Sequence, residues 1–340
     1  MSANSFGTIF KMTSFGESHG TALGVIIEGC PAGVRVDLEL LQKELGRRRP
    51  GQSSVTTSRN ESDEPEILSG VFEGKTLGTP IAVMISNSDA RSQDYSQIQN
   101  DPRIGHADDT WRQKFGHVDH RGGGRSSGRE TAARVIAGAF ARMLCQQIEP
   151  KMKVKSFASQ ISNFKLTDAE IESALLSDID QYQTRFPSPT RESQVIHLLN
   201  SAKTEGQSYG GVVETHIISA PAGLGQPVFH KMKSDLAFAM LSIGATTGFE
   251  LGSGFSSVTV AGTDFHESIN AKQYGGIRGG ISTGETINFR TAFKPTSSIK
   301  DVAKKGRHDP CIVTRAVPVV DAMVWLVLAD HLLWSRLDRV

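Results

Sequence analysis

Strand-like stretches in this chain follow one another across glycine-bearing turns more often than they alternate with helices, and that order constrains the fold most. Residues 7–15, 22–28, 80–86, 154–161, 211–219 and 286–293 are rich in β-branched residues or alternate in polarity, the pattern of strands. Regular strand–helix alternation would build a doubly wound parallel sheet. Strand after strand predicts an α+β fold instead.

Helical periodicity is clearest in four segments. Asp37 opens the first, through Leu38, Leu41 and Leu45, and Pro50-Gly51 stops it after the run Arg47-Arg48-Arg49. Residues 130–148 give the longest, with Ala133, Ile136, Ala137, Phe140 and Leu144 on one face. Ser234 is the expected cap of a helix through Leu236, Ala239, Met240 and Ile243, and Pro318 the expected start of a last helix reaching about Leu337. Thr167 with Glu170 reads as a capping box on a short surface helix. No linker, repeat or low-complexity run divides the chain, so a single domain over residues 1–340 is expected.

Lys and Arg total 37 against 36 Asp and Glu, which gives no overall pull toward nucleic acid or anionic lipid. The basic residues are locally concentrated at 47–49 and at Arg121, Arg125 and Arg129, a distribution suited to a small anionic ligand. Cys30, Cys145 and Cys311 are far apart, which argues against a disulfide framework or a zinc ribbon. No basic region followed by an apolar run opens the chain, and the apolar run 324–333 is short and broken by Asp330 and His331. A buried helix there, and a cytoplasmic protein without membrane attachment, are the expectations.

Five segments carry chemistry. Phe15-Gly16-Glu17-Ser18-His19-Gly20 sets a Ser-His pair in a glycine-bounded turn, where His19 can exchange a proton and Ser18 relay it. A nucleophilic serine is the weaker reading, because adjacent side chains do not normally bond in nucleophile geometry. Gly122-Gly123-Gly124-Arg125-Ser126-Ser127-Gly128-Arg129 leads into the long helix and combines amide, hydroxyl and guanidinium donors in an anion site. Arg103-Ile104-Gly105-His106 offers His106 as a proton donor or polariser. Lys294-Pro295-Thr296-Ser297-Ser298 can hold a second phosphate, and Arg307 places an anion contact beside Asp309, a potential base.

Two other classes of function fit parts of this pattern. His106, Asp108, Asp109, His117, Asp119 and His120 would suit a binuclear metal-dependent phosphoesterase, but Arg121, Arg125 and Arg129 crowd the same region and repel a cation. No metal is therefore expected. The arginine clusters would suit RNA, but near-zero net charge and 7% aromatics without interleaving do not.

The segments FGESHG, RIGHAD, GGGRSSGRET, GGIRGGIS, KPTSS and KGRHDPC, in this order between residues 15 and 311, resemble the chorismate synthase family, and the resemblance extends over essentially the whole chain. It implies a lyase of the shikimate pathway that converts 5-enolpyruvylshikimate 3-phosphate to chorismate by anti 1,4-elimination, using reduced FMN with no net redox change. It also implies helices sandwiched between antiparallel sheets and a homotetramer. The flavin would be reduced by NADPH on the enzyme or, in the absence of a GxGxxG fingerprint after a strand, by a separate flavin reductase.

By the same resemblance His19 would protonate the departing phosphate, with Ser18 and Ser127 relaying. His106 would support the reduced anionic flavin, and Asp309 would take part in removing the C6 proton. Arg48, Arg103, Arg129 and Arg307, with Arg49 as helper, would neutralise the substrate's phosphate and carboxylates. Arg125, Ser126, Ser127, Gly244, Ala245, Gly279, Arg307 and residues 294–298 (Lys294, Pro295, Thr296, Ser297, Ser298) would hold FMN. Ser54 stands where many members carry a second arginine that contacts substrate or NADPH. Ile104, Gly128 and Gly244 replace the usual proline, alanine and asparagine. Glycine at 128 is expected to loosen the helix start, as glycine costs ~1 kcal/mol relative to alanine in a helix interior.

Overall fold

The computed structural model describes residues 3–51, 62–87, 105–119, 121–269, 272–297, 299–300 and 309–340. Two five-stranded antiparallel sheets form its outer layers. The first contains β1 (Ser5–Phe6), β2 (Lys11–Gly16), β3 (Ala22–Glu28), β4 (Glu66–Ile67) and β5 (Ile81–Ser86), in the order β1-β2-β3-β5-β4. The second contains β6 (Lys153–Ile161), β7 (Phe164–Lys165), β8 (Gly211–Ile218), β9 (Thr246–Leu251) and β10 (Ile287–Phe293), in the order β9-β10-β8-β6-β7. Strand alternation decides which face turns inward. Leu23, Val25 and Ile27 of β3 and Ile81, Val83 and Ile85 of β5 are buried, whereas Ile26 on the opposite face is exposed.

Between the sheets run α3 (Thr131–Ile148), packed on β2 and β3, and α7 (Val313–Ser335), packed on β6 and β8. They also pack on each other, joined by α1 (Leu38–Arg48) and α6 (Met232–Leu241). The result is the expected α+β sandwich of helices between antiparallel sheets. On the outer face of the second sheet α4 (Asp168–Leu176) approaches β6, and Lys155 Nζ donates to the Leu175 carbonyl at 2.6 Å. Asp37 caps α1 by accepting from the Leu40 amide at 2.9 Å, and the Thr167–Glu170 capping box forms.

Some expectations need correction. The stretch 7–15 is strand only from Lys11; residues 7–10 turn between β1 and β2, because Gly7 at φ +92 bends the chain where a Cβ would strike the Phe10 carbonyl. Ser234 is not a cap: α6 starts at Met232, which buries its side chain completely, and ends at Leu241, leaving Ile243 in the following loop. Pro318 lies inside α7, not at its start. Proline removes the amide that would bond the Thr314 carbonyl, and the Arg185 guanidinium donates to that carbonyl instead. The apolar run is also longer than expected. Val313–Ser335 has the length and composition to cross a membrane, but its apolar window is wholly buried within the fold.

The two central helices approach closely at Gly138, where a Cβ would lie 2.5 Å from both Cα and Cβ of Ala322. Neither helix can yield there without repacking. Gly138→Val is expected to lower the unfolding free energy by ~3 kcal/mol, read as a reduced urea midpoint with unchanged slope. An unchanged midpoint would remove this contact as a constraint on the core.

Candidate active site

One cavity has a volume of about 770 Å³, within the usual ~300–1,000 Å³ range of small-molecule and cofactor sites. It lies where the N-terminal ends of α3 and α7 meet the C-terminal end of α1, the loop after α6 and the end of β10. Its lining includes the apolar side chains Trp111, Phe238, Ile243, Val319 and Met323. It also carries Arg48, Arg125, Arg129, Arg134, Lys294 and Arg315 against, among the described residues, only two carboxylates, Glu130 and Asp309. Two helix N-termini add to this positive field. The cavity suits an anion that also carries an apolar part.

Arg48 and Arg129 are 1% and 4% exposed and share one buried carboxylate, that of Asp63. Arg48 Nη2 donates to Asp63 Oδ2 at 2.7 Å, and Arg129 Nη1 donates to Asp63 Oδ1. Burial lowers the Arg48 pKa to about 10 against the pull of Asp63, with Arg315 and Arg129 adding to the lowering, so it remains a cation at neutral pH. Burial raises the Asp63 carboxyl, but the two guanidiniums outweigh it and hold it below its ordinary value. The Arg48 Nε–H is buried and has no partner among the described residues, which leaves a donor for a ligand oxygen.

Asn87 extends this cluster. Its Oδ1 accepts from Arg129 Nε at 3.1 Å, while its amide nitrogen donates to the carbonyls of Glu17 and Gly20. The turn bearing Ser18 and His19 is thereby clasped to Arg129, although neither residue lines the cavity. Both are buried, and Ser18 Oγ lies 3.0 Å from His19 Nδ1. Adjacent side chains do hydrogen-bond here, contrary to expectation, because the tight turn brings them onto one side.

His106 faces the cavity with Nδ1 2.7 Å from Asp108 Oδ1. A proton donated from Nδ1 to that carboxylate would fix the tautomer and orientation of the ring. Asp309 is paired with Arg315, whose Nη1 donates to Oδ2 at 2.6 Å, and Thr296 Oγ1 donates to the Asp309 carbonyl. The partner expected from sequence, Arg307, lies outside the described residues, as do Ser54, Arg103, Ile104, His120 and Ser298.

Of the other expected contacts, Arg125, Ser126, Ser127, Gly244, Ala245, Lys294, Pro295, Thr296 and Ser297 all line the cavity. Lys294 Nζ donates to the Gly105 carbonyl at 3.2 Å, and Arg125 donates to Ser14 Oγ and the Gly16 carbonyl. Arg49 is exposed at the end of α1, and Gly279 sits in a two-residue hairpin turn; neither lines the cavity. Gly128 belongs to a short 3-10 turn before α3, so the helix-interior cost does not apply. Its carbonyl accepts from Thr131 Oγ1 at 2.7 Å. In the acidic loop Asp119 is engaged by Arg121 through two bonds of 2.8 Å, and Asp109 accepts from the Thr110 amide. Among the described residues no three His, Cys, Asp or Glu side chains converge as a metal site.

Asp63, Asn87, Arg134 and Arg315 were not singled out from the sequence. Arg134 and Arg315 had a signal, each being a lone cation on an otherwise apolar helix face. Arg134 Nη1 donates to Ser242 Oγ at 2.7 Å, and its Nε bonds both Glu130 oxygens. Asp63 and Asn87 lie in no motif, and only the tertiary structure brings them to the arginines.

Comparison with known proteins gives a consistent result. The family model described as chorismate synthase matches residues 10–333. A chorismate synthase of Bdellovibrio bacteriovorus is 62% identical, with the whole of both chains covered. One of Cytophaga hutchinsonii is 45% identical, with 99% of each chain covered. A crystal structure of chorismate synthase superimposes with a TM-score of 0.76 at 30% identity, covering 96% of this chain and 92% of the other. Whole-length identity of this degree, with a family model matched over residues 10–333 and a superimposable fold, places the chain in the chorismate synthase family of lyases.

Proposed function

We propose that the enzyme forms chorismate by anti 1,4-elimination from 5-enolpyruvylshikimate 3-phosphate, with reduced FMN bound in the same cavity. The C6–H pair becomes a ring double bond, the existing ring double bond shifts, and phosphate leaves with the C3–O pair, so no net redox change occurs. The observation that carries this reading is the set of six basic side chains around one cavity that also presents His106 and Asp309. A substrate with a phosphate and two carboxylates needs such a field.

The cavity suits the flavin. Its volume and apolar lining accept a planar ring, and Lys294, Thr296, Ser297, Arg125 and Ser126 offer phosphate and ribityl contacts. Reduced FMN, when bound there, would supply the electron density that assists loss of the phosphate. Arg48 and Arg129 bind the substrate's anionic groups, the orphan Arg48 Nε–H among their donors. His106 holds or moves a proton at Nε2, with Asp108 fixing the ring. Asp309, oriented by Arg315, accepts the C6 proton. His19 delivers a proton to the departing phosphate with Ser18 and Ser127 as relays. This assignment rests on the turn's attachment to Arg129 through Asn87, since the turn lies outside the lining.

The chain works as a single catalytic domain in the cytoplasm, with its long apolar helix serving the core. Phe15 and Ile26 on the outer face of the first sheet remain 39% and 38% exposed, surface that a homotetramer would cover. An external reductase or NADPH keeps the flavin reduced.

An anaerobic assay tests the reading: chorismate forms from 5-enolpyruvylshikimate 3-phosphate with chemically reduced FMN. Full-rate turnover with oxidised FMN and no reductant contradicts it. His19→Ala and His106→Ala are each expected to lower turnover by about 10²- to 10⁴-fold. Only the second should alter the spectrum of bound reduced flavin, and identical spectra would end that division of roles. Arg48→Ala should weaken substrate binding by ~1.5–3 kcal/mol. In the parent the same binding should weaken as pH rises through about 10, where Arg48 loses its proton. An unchanged dissociation constant for the variant removes Arg48 from the site.

A further inference from the structure

We propose that Asp63 is a positioning residue for substrate recognition: its carboxylate clamps the Arg48 and Arg129 guanidiniums side by side and leaves the Arg48 Nε–H for the substrate's anionic group. The proposal rests on the reading that these arginines bind 5-enolpyruvylshikimate 3-phosphate.

Three observations carry it. The Asp63 side chain is fully buried and each of its oxygens serves a different arginine, Oδ2 for Arg48 and Oδ1 for Arg129. Both arginines line the cavity while Asp63 does not, so Asp63 acts on the site only through them. Among the described residues Arg48 gives Nη2 to Asp63, makes only long contacts through Nη1 (3.5 Å to the Gly128 carbonyl and 3.4 Å to Thr131 Oγ1), and keeps Nε unpartnered. A guanidinium that gives one nitrogen to Asp63 and keeps a second donor unused has capacity for a second anion.

The electrostatics give the reason for a carboxylate at this place. Two buried guanidiniums side by side repel each other strongly in a low-dielectric interior. One shared carboxylate offsets that repulsion and still leaves the pair with net positive charge. Asp63 also sits at φ +51, a conformation uncommon for a residue with a side chain and maintained where the surroundings fix it. The carboxylate is thereby fixed in direction as well as in charge.

The test is Asp63→Ala, which removes the carboxylate and leaves space for a small one. Calorimetric titration should show substrate affinity reduced by about 10²-fold with FMN affinity changed by less than about threefold, the scale expected when one partner of a buried hydrogen-bonded charge pair is removed. Sodium formate, able to bridge the two guanidiniums, should restore substrate affinity by at least about tenfold in the variant and none in the parent. A purely structural role predicts no such rescue. Variant affinity equal to the parent's, or a loss indifferent to formate in a protein that melts normally, overturns the proposal. If Asp63→Ala does not fold, Asp63→Asn is expected to show the same loss of substrate affinity with normal FMN binding, and parental affinity in that variant overturns the proposal. A parent that binds no 5-enolpyruvylshikimate 3-phosphate overturns the functional reading itself, a result distinct from parent and variant binding equally well.

Discussion

A shared, fully buried carboxylate between Arg48 and Arg129 is the constraint around which the site is organised, because neither guanidinium could be so deeply buried without it. Burial strengthens any charge-assisted contact that a ligand makes with these arginines, but it also makes an unpaired cation costly. Asp63 resolves that conflict by pairing with both. Through Asn87 the same cluster holds the turn that carries Ser18 and His19, so the proton-transfer candidates outside the cavity are tied to the anion-binding wall.

The arginines stand where they do because the central helices are fixed to one another. Arg185 is the connecting piece: it donates to the Thr314 carbonyl, left without its helical partner by Pro318, and to the Arg47 carbonyl at 2.7 Å. The start of α7 and the end of α1 are thus held by one guanidinium. Arg47 adds ion pairs to Glu44, Asp180 and Asp321. Next in sequence to Arg47, Arg48 turns toward the cavity, and Arg315, near the start of α7, donates through Nε to the Arg48 carbonyl at 3.4 Å and through Nη1 to Asp309. Scaffold and site are therefore one continuous set of buried hydrogen bonds, and the Gly138–Ala322 contact sets the distance between the helices that bear it.

Much of this was legible in the sequence, for physical reasons. Strands with one buried face announce themselves by alternation, and five of the six expected strands appear with ends shifted by at most one residue. Long helices with an apolar stripe were equally visible, as was the glycine- and arginine-rich anion loop. Elements without a strong burial pattern were not. Helix α2 (Asp108–Phe115) has no buried residue, and β9 is an edge strand of intermediate exposure. The start of α7 was misplaced because Pro318 looks like a helix opener until Arg185, distant in sequence, is seen to satisfy the freed carbonyl. For the same reason Asp63 carried no local signal. Its significance lies entirely in two partners, one 15 and the other 66 residues away.

A crystal structure of the enzyme with FMN and 5-enolpyruvylshikimate 3-phosphate tests the central claim most directly. The account predicts a substrate anionic group ~3 Å from Arg48 Nε, with Asp63 still bridging Arg48 and Arg129 and the flavin against Lys294 and Thr296. A substrate bound away from both arginines, or an Asp63 carboxylate displaced from them on binding, would contradict it.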